Sequence, residues 1–362
     1  MDIYLVGGAV RDTLLGLKPK DKDWVVVGSC EKDMLTQGFI KVGKDFPVYI
    51  HPISKEEYAL ARTERKTHRG YYGFETDTSV SITLEQDLAR RDLTINSIAM
   101  DNNGNIIDPF DGKTDISNRI LRHTTEAFAE DPLRVIRLAR FMAQLSNYNF
   151  RIHPDTQKLV ASILKNGELL HLAPERLNIE LSKSLANSNI FFNTLAKLKC
   201  LSVVFPSITI DKLPQENIYE SISFEKLSDE TKIALVLAGH NIKDIDNLKT
   251  EICLSNQITK QSKVFSLLRE SCNNTISKEK LLENIKLSNL LRDKVLFNNT
   301  TSSSDILCEA YNVDKKKLSK TLNIIDLLKN IDYMEIIKDH KTNIPLVIKN
   351  AQLDIIKKQL EM

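Results

Sequence analysis

The stretch LVGGAVRD, residues 5–12, places two glycines between an apolar run and an amphipathic one. The run IYLVGG has the short, β-rich form of a strand, and the following AVRDTLLGL spaces its apolar residues as a helix does. Without a Cβ, Gly7 and Gly8 let backbone N–H groups approach an anion at the start of the helix, and Arg11 lies one turn further on. The pattern predicts a phosphate-binding turn, with a plain tight turn as the alternative.

A second short stretch, KDKDW at residues 20–24, follows that predicted helix. Asp21 and Asp23 stand two apart at the start of a strand-like run, so both carboxylates are expected on one face. Two like charges this close need a cation, and hard oxygen ligands suit Mg²⁺, which keeps coordination positions for substrate phosphates. We therefore predict that Asp21 and Asp23 are catalytic metal ligands. A solvated turn is the alternative.

The bulk composition is that of an ordinary globular protein. The chain has 362 residues, 42% of them hydrophobic, and a net charge of +2, which does not by itself indicate a nucleic-acid binder. The cysteines include no CxxC pair and the histidines no HxxxH or HExxH spacing, so neither a disulfide scaffold nor a histidine-built metal site is predicted. No apolar run is long enough for a membrane span, and a strand begins almost at the N-terminus. We expect no membrane association, no signal peptide and a cytoplasmic location.

The character of the chain changes near residue 125. Earlier residues mix short β-rich runs with helices, whereas later residues have helical periodicity that starts with EDPLRVIRLARFMAQL at 130–145. We predict an α+β fold with three parts: a head with a mixed sheet and helices at 1–122, a helical neck at 123–206, and a helical body at 207–362. Within the body, the polar tract NNTTSSSD at 298–305 is expected to form a loop or linker.

Five ordered motifs give the chain a resemblance to a known family. They are LVGGAVRDTLLG with KDKDW, RRDLTINSIA at 90–99, IDPFDGKTDI at 107–116, EDPLRVIRLARF at 130–141 and, more weakly, PERLNIEL at 174–181. Over about the first 205 residues, the sequence resembles the class II nucleotidyltransferases of the DNA-polymerase-β superfamily, which are tRNA CCA-adding enzymes and bacterial poly(A) polymerases. The stretches KDKDWVVVGS, DFPVYIHP and EEYALARTERK are most similar to the CCA-adding enzymes of gammaproteobacteria.

The resemblance implies both a fold and a reaction. The head is expected to be a polymerase-β-like nucleotidyltransferase, and the reaction to be the addition of C, C and A to the 3′ end of tRNA from CTP and ATP, with release of pyrophosphate. The implied cofactor is Mg²⁺, and the implied partners are tRNA, ATP and CTP. Three alternatives remain at this point: a poly(A) polymerase, a CC-adding enzyme of the same family, and a tRNA-binding protein without catalysis.

Choosing a nucleotide without a nucleic-acid template requires a protein surface that distinguishes bases. CTP and ATP share an exocyclic amino donor beside a ring-nitrogen acceptor, a pattern that UTP and GTP lack. A carboxylate and a guanidinium can bind that pair, and Asp131 and Arg134 stand three apart on a predicted helix. The family motif EDxxR implies that Glu130, Asp131 and Arg134 select the base. Without the family context, the same residues are an acidic helix start with an i,i+3 ion pair.

The resemblance also implies which residues bind the rest of the nucleotide, chiefly its phosphates: Gly8, Arg11, Arg91, Arg137 and Arg140. Arginine suits this task because it stays charged and can contact two oxygens at once. For Arg137 and Arg140, solvent exposure is the alternative. Supporting roles are expected for Gly7, Asp92 and Asn96.

Two further features stay open on the sequence alone. Glu64 could be a third acidic group near the metal. The segment RKTHRGYYGFETD at 65–77 could be the mobile loop that in this family helps the switch from CTP to ATP, or a plain surface loop. Lysines that bind tRNA cannot be distinguished from solvated lysines in this way, so no tRNA-contact residue is assigned.

Similar members of this family carry a second module, a metal phosphohydrolase built on paired His and Asp. In the corresponding stretch KIALVLAGHNIKDIDNL, His240 is followed by Asn241 where the paired Asp would be needed. We therefore predict no phosphohydrolase activity and no phosphohydrolase metal, and interpret this region as a degenerate remnant of that module.

Overall fold

The computed structural model describes residues 1–43, 47–66, 74–273, 276–338 and 342–361. The chain forms two compact units. The first comprises Met1–Leu177 and Thr194–Val204, and the second comprises Asn178–Asn193 and Phe205–Met362. All the candidate site residues named above lie in the first unit. The predicted three-part division at residues 122 and 206 is a different partition of the chain and stays a prediction.

The first unit is built on a mixed sheet. The described strands are β1 (Asp2–Val6), β2 (Asp23–Val27), β3 (Ile40–Val42), β4 (Val48–Ile50), β5 (Glu57–Leu60), β6 (Thr63–Lys66), β7 (Phe74–Asp77), β8 (Ala99–Met100), β9 (Ile106–Ile107), β10 (Ile120–Leu121) and β11 (Arg151–Ile152). Seven of them form one sheet in the order β3-β4-β5-β2-β1-β8-β9. Within it, β2 and β5 are parallel and the other neighbours are antiparallel. The pairs β6–β7 and β10–β11 form separate two-stranded sheets.

Alternation along β2 explains the two faces of the sheet. Val25 packs with Val6 and Ala99 in one hydrophobic cluster, whereas Val26 packs with Met34 in another. Because side chains alternate along a strand, Asp23 and Val25 lie on the same face of the sheet. Asp23 is exposed, however, because it stands at the first position of the strand, beyond the core. The hydrophobic pattern therefore buries the middle of β2 and leaves its acidic start accessible.

The helices before residue 205 include the one predicted from EDPLRVIRLARFMAQL. They are α1 (Gly8–Leu14), α2 (Glu31–Thr36), α3 (Leu84–Ala89), α4 (Gly112–Asn118), α5 (Leu133–Gln144), α6 (Pro154–Lys165), α7 (Pro174–Ser182), α8 (Ser188–Lys197) and α9 (Leu201–Val204). Pro132 occupies the N-cap position of α5. The acidic residues Glu130 and Asp131 consequently precede the helix rather than form its first turn.

The second unit is helical throughout its described part. Its remaining helices are α10 (Ile222–Glu225), α11 (Asp229–Leu237), α12 (Ile242–Glu251), α13 (Asn256–Asn273), α14 (Lys278–Leu287), α15 (Lys294–Ser302), α16 (Ser304–Tyr311), α17 (Lys315–Lys329), α18 (Tyr333–Ile337) and α19 (Ile344–Glu361). A large apolar core, with Phe265, Leu307 and Ile324 among its fully buried members, joins most of these helices. Burial of this core supplies the main driving force for the unit's folding.

The expectation of a loop at NNTTSSSD is wrong. Residues 298–302 belong to α15, and α16 begins at Ser304. The Asp293 side chain caps α15 by accepting a hydrogen bond from the Leu296 N–H at 2.9 Å. Thr300, one turn after Leu296, is buried and donates to the Leu296 carbonyl at 2.7 Å. Burial of this face and the cap outweigh the weak helix propensity of Asn, Thr and Ser.

The predicted α+β fold class is confirmed: a mixed sheet with helices comes first in the chain, and a helical region follows it. Within the part of the chain that the structure describes, no helix has both the length and the apolarity needed to cross a lipid bilayer.

Candidate active site

The glycine turn joins β1 to α1. Gly7 has a φ of +69°, in the left-handed region, and its N–H donates to the Ile98 carbonyl at 3.2 Å. A Cβ on Gly7 would lie 3.0 Å from Nη1 of Arg91, and a Cβ on Gly8 would lie 3.5 Å from Nη2 of Arg11. Two of the predicted nucleotide-binding arginines therefore lie against the two glycines. At Gly7, both the backbone conformation and the nearness of Arg91 favour a residue without a side chain.

Asp21 and Asp23 lie at the start of β2. Asp23 is paired across the sheet with Val6, the residue before the glycine turn. Asp21 stands in the bend before the strand, so the alternation that predicted a common face applies only to Asp23. Both residues are exposed. Exposed carboxylate oxygens beside a turn lined by arginines fit a hard divalent cation whose other ligands are water and phosphate.

Asp87 holds Arg91 in place. This carboxylate is fully buried in α3, and its Oδ2 accepts from Nη2 of Arg91 at 3.0 Å, while Oδ1 accepts from Nη2 of Arg90 at 2.8 Å. Burial acts to raise the pKa of Asp87, but the two guanidinium groups outweigh it and hold the pKa below its usual range. Asp87 is thus an anion that orients Arg91. Sequence reasoning missed it, although its i,i+4 spacing from Arg91 was a usable signal.

Glu64, considered above as a third metal-binding carboxylate, is already engaged by arginines. Its Oε1 accepts from Nε of Arg62 at 2.8 Å and from Nη1 of Arg90 at 2.9 Å. These contacts place Glu64 in the same charge network as Asp87. Residues 67–73 of the segment 65–77, which was considered as a nucleotide-switching loop, lie outside the described residues.

A continuous chain of hydrogen bonds links α5 to α1. Arg137 donates to Oδ2 of Asp92 from Nε at 2.8 Å and from Nη2 at 2.7 Å. Asn96 donates from Nδ2 to Oδ1 of Asp92 at 3.0 Å, and its own Oδ1 accepts from Nη1 of Arg11 at 2.8 Å. Asp92 is buried, which acts to raise its pKa, but Arg137 and Asn96 hold that pKa well below its usual range. Asp92 and Asn96 therefore connect two predicted nucleotide-binding arginines.

The three residues predicted to select the base lie at the start of α5. The side chains of Asp131 and Arg134 do not pair with each other but form hydrogen bonds with other groups of the protein. Arg134 donates from Nη1 to the Ala127 carbonyl and from Nη2 to the Arg90 carbonyl, each at 2.6 Å. Asp131 accepts from Nη2 of Arg176 at 2.8 Å. The i,i+3 ion pair that was the alternative interpretation is thus replaced by a longer-range pair with Arg176 of α7.

The charge of Arg134 interacts with carboxylates in other parts of the site. Burial lowers the pKa of the Arg134 guanidinium, and the carboxylates of Asp92 and Asp131 oppose that shift. Glu130 is half-buried at the end of the 3-10 helix Glu126–Glu130 and directly precedes Asp131. The carboxylates of Asp92 and Asp131 therefore offset part of the cost of burying the charge of Arg134.

Three of the predicted phosphate-binding arginines meet at one aromatic ring. The guanidinium carbons of Arg140, Arg11 and Arg137 lie 4.1, 5.3 and 5.8 Å from the centroid of Phe141. Arg140 is also 7% exposed and donates from Nη1 to Oε1 of Gln144 at 2.8 Å. The alternative of plain solvent exposure does not describe Arg140, which is buried against the ring.

The structure thus brings most of the predicted site residues into one region of the first unit. Those joined by direct contacts around the glycine turn are Gly7, Gly8, Arg11, Arg91, Asp92, Asn96, Arg137 and Arg140. Asp23 adjoins this group through its pairing with Val6. Sequence reasoning assigned no role to Asp87, Phe141 or Arg176, because their importance depends on which side chains the fold places beside them.

Comparison with known protein families and structures shows which proteins the chain is similar to. A family model described as the poly A polymerase head domain matches residues 3–122. The chain is 46% identical to the CCA-adding enzyme of Francisella tularensis subsp. novicida, strain U112, and the match covers all of both proteins. It is 58% identical over 210 residues to the multifunctional CCA protein of Pseudoalteromonas atlantica, a match that covers 58% of this chain and 52% of that protein.

A solved structure shares the fold along nearly the whole chain. The CCA-adding enzyme of Bacillus stearothermophilus in complex with CTP superposes with a TM-score of 0.62 at 23% sequence identity, covering 98% of this chain and 88% of that one. At this level of identity, the likeness concerns the fold alone. Family membership therefore depends on the full-length match in sequence.

Proposed function

The chain belongs to the family of CCA-adding enzymes, and from this premise we propose that it adds C, C and A in turn to the 3′ end of tRNA. The substrates are CTP and ATP, and the ribose 3′-hydroxyl of the growing end attacks the α-phosphorus while pyrophosphate leaves. The match over the full length of a CCA-adding enzyme favours this activity over the poly(A) polymerase and CC-adding alternatives. Because tRNA is the substrate, we place the activity in the cytoplasm.

In this proposal, Asp21 and Asp23 hold the divalent cation, which we take to be Mg²⁺. Their exposed carboxylates at and just before the start of β2 provide hard oxygen donors, and the pairing of Asp23 with Val6 sets Asp23 next to the residue that precedes the glycine turn. When bound, Mg²⁺ neutralises charge on the phosphates and makes the attacking hydroxyl a better nucleophile.

The triphosphate binds where the arginines gather. Arg91 and Arg11 lie against Gly7 and Gly8, so backbone and guanidinium donors at this turn can contact the same phosphate group. Arg137 joins Arg11 through Asp92 and Asn96. This network orders the guanidinium groups before the substrate arrives, which lowers the entropic cost of binding it.

Asp131 and Arg134 bind the base edge, with Glu130 beside them. Each already has a protein partner, but a guanidinium has more N–H donors, and a carboxylate more acceptor positions, than those partners use. We infer that Arg176 and the two backbone carbonyls fix the orientation of this pair. Asp131 then accepts from the amino group of C or A, and Arg134 donates to the neighbouring ring nitrogen.

The function is tested by supplying nucleotides singly and together. Purified protein, Mg²⁺ and tRNA lacking its terminal CCA are incubated with each of the four nucleotides and with CTP plus ATP, and the products are sequenced. We expect addition of two C residues with CTP alone and of CCA with the mixture. The Asp21→Asn variant should bind the same tRNA without extending it.

Other outcomes contradict the proposal. Long adenosine runs with ATP alone would indicate a poly(A) polymerase, and CC without a terminal A would indicate a CC-adding enzyme. If the Asp21→Asn variant extends tRNA at the wild-type rate, the assignment of Asp21 as a metal ligand is wrong.

A further inference from the structure

We propose that Phe141 is a positioning residue of the nucleotide site, and that its ring holds Arg11, Arg137 and Arg140 in place to receive the triphosphate. This inference rests on the phosphate-binding role proposed above for those arginines. Phe141 itself is not expected to touch the substrate. Its contribution is to keep two guanidinium groups of α5 and one of α1 at one point.

The geometry of the ring supports this role. Arg137 and Phe141 are i,i+4 neighbours on α5, so the helix itself sets their contact, whereas Arg11 reaches the ring from α1. Arg140 lies closest, with its guanidinium carbon 4.1 Å from the ring centroid. All three distances fall within the range in which an aromatic face attracts a cation. Phe141 is 4% exposed, so water competes little for that face.

Electrostatics give a reason for the ring. Three cations gathered at one point repel one another, and the repulsion is strongest where water is excluded. Two carboxylates offset part of it: Asp12 accepts from Arg11 at 2.7 Å, and Asp92 accepts from Arg137 at 2.7 Å. The negative face of Phe141 adds attraction for the cations without adding an anion that would repel a phosphate. An aromatic side chain therefore suits this position better than a further carboxylate.

The ring of Phe141 should affect the binding of the triphosphate more than the rate of the chemical step. An arginine side chain loses much rotational freedom when it is held in one place, and a site that is already ordered avoids that cost on binding. Loss of the ring should weaken binding of the triphosphate and leave the rate constant of the bound complex less affected. CTP and ATP should be affected equally, because the triphosphate is common to both and the base is bound elsewhere.

The simpler interpretation is that Phe141 only fills the core, and the chain offers a matched control for it. Phe150 is 6% exposed and also has a guanidinium over its ring, that of Arg119 at 5.7 Å. Arg119 is not among the proposed site residues. Phe150→Leu therefore removes a buried ring and a cation–π contact of the same kind, away from the nucleotide.

The experiment compares Phe141→Leu, Phe141→Tyr and Phe150→Leu in the full-length protein. Equilibrium dissociation constants for CTP and ATP, steady-state kcat and KM, and urea denaturation midpoints are measured for each. Phe141→Leu should raise the Kd and KM of both nucleotides by about tenfold with a smaller change in kcat. Phe141→Tyr, which keeps the ring, should restore binding, and Phe150→Leu should lose stability with unchanged Kd.

The outcomes separate this inference from the function on which it rests. Equal Kd values for Phe141→Leu and Phe150→Leu would overturn the positioning role. The role would also be overturned if, in both variants, nucleotide affinity falls in proportion to the loss of stability. If Phe141→Leu is too unstable to assay, Phe141→Met takes its place with the same expectations. The variant Arg140→Gln tests the underlying premise: if it leaves Kd unchanged, the phosphate-binding assignment itself fails, whatever Phe141 does.

Discussion

Two nitrogens of Arg137 converge on a single oxygen of Asp92, at 2.7 and 2.8 Å. The carboxylate is buried, and its other oxygen accepts from the Leu93 N–H and the Asn96 amide. A buried charge that loses its partner is expensive, whereas a buried pair with every hydrogen bond satisfied is tolerated. The pair therefore has two consequences: it contributes to stability, and it sets the direction from which Arg137 faces the site.

The first prediction concerns this pair. Asp92→Asn removes the negative charge but keeps the shape, so Arg137 loses its charged partner. Because the Arg137 side chain is 34% exposed, solvent screens the charge that is left, and we expect a loss of about 1–2 kcal/mol in the free energy of unfolding and a higher KM for both CTP and ATP. Urea denaturation and steady-state kinetics measure the two effects.

The matched control for Asp92→Asn is an exposed carboxylate. Asp155 pairs with Lys158 at 2.9 Å on the surface, so Asp155→Asn should change neither stability nor KM appreciably. Wild-type stability in Asp92→Asn would contradict the importance of the pair between the buried Asp92 and Arg137.

The second prediction separates backbone strain from crowding at the glycine turn. Gly7→Ala places a methyl group at positive φ and about 3.0 Å from Nη1 of Arg91, which must then move. Gly16 also has a positive φ, +75°, but a Cβ there meets nothing within 4 Å. Both variants should lose about 1 kcal/mol or more of stability. Only Gly7→Ala should raise the KM for nucleotides, by about tenfold, because a charge-assisted contact to phosphate is displaced.

Kinetics and thermal denaturation of the two variants test this difference. A KM for Gly7→Ala that equals the KM for Gly16→Ala would show that Arg91 does not depend on the space that Gly7 leaves.

Local sequence patterns were sufficient for the parts of the structure that depend on neighbours along the chain. The strand–glycine–helix unit at Gly7, the strand that starts at Asp23 and helix α5 could all be predicted from short-range periodicity and turn residues. The family resemblance extended this to an α+β fold and a function. The helix at residues 298–302 was missed because burial of Leu296 and Thr300, which no local pattern shows, outweighs weak propensity.

The pairing of charges could not be predicted in the same way. Asp131 was expected to face Arg134, three residues away, but pairs with Arg176, which is 45 residues distant. Arg11 and Phe141 meet only because the fold brings α1 against α5. Contacts of this kind depend on tertiary packing, so the residue types of a site can be predicted from sequence while their partners cannot.

The third prediction concerns base selection. An asparagine at position 131 can donate as well as accept, so Asp131→Asn should weaken the discrimination against UTP, whose exocyclic oxygen needs a donor, while the N3–H of uracil still lacks an acceptor at Arg134. We expect the ratio of kcat/KM for CTP to that for UTP to fall at least about tenfold. Competition between the two nucleotides on tRNA lacking its CCA end measures that ratio. Glu126→Gln, an exposed carboxylate five residues earlier, is the control and should leave the ratio unchanged.

The result is informative in either direction. If Asp131→Asn discriminates against UTP as strongly as the wild type does, the carboxylate serves only to hold Arg176. Lost stability with unchanged selectivity would indicate the same structural role.

The fourth prediction follows from His240 in the core of the second unit. Its Nε2 accepts from the Thr209 N–H at 3.0 Å, so the proton of the neutral ring is on Nδ1, which has no hydrogen-bond partner among the described residues. Burial lowers the pKa of His240 from 6.5 to about 4, and Lys212 and Arg269 act in the same direction while Asp244 opposes them. The folded protein therefore resists protonation that the unfolded chain accepts.

The sign of the pH dependence follows from linkage. Well above pH 6.5, neither state binds the proton at His240 and the residue has no pH-dependent effect on stability. As the pH falls from 6.5 toward 4, the unfolded chain becomes protonated first, and the free energy of unfolding falls by roughly 3 kcal/mol. Below pH 4 both states are protonated and no further loss comes from this group. Carboxylates with lowered pKa values, Asp87 and Asp92 among them, start from ordinary values of 3.8 to 4.5 and therefore act mainly in the more acidic range.

Urea denaturation at several pH values between 7 and 4.5 tests this prediction. His240→Gln keeps an acceptor for the Thr209 N–H but cannot titrate, so its stability should fall less steeply with pH than that of the wild type. The slope that remains comes partly from His123, whose pKa burial also lowers. His171 is exposed, and His171→Gln should retain the full wild-type slope. Equal slopes for His240→Gln and the wild type would mean that the buried ring is protonated as easily in the folded protein as in the unfolded chain, contrary to its burial.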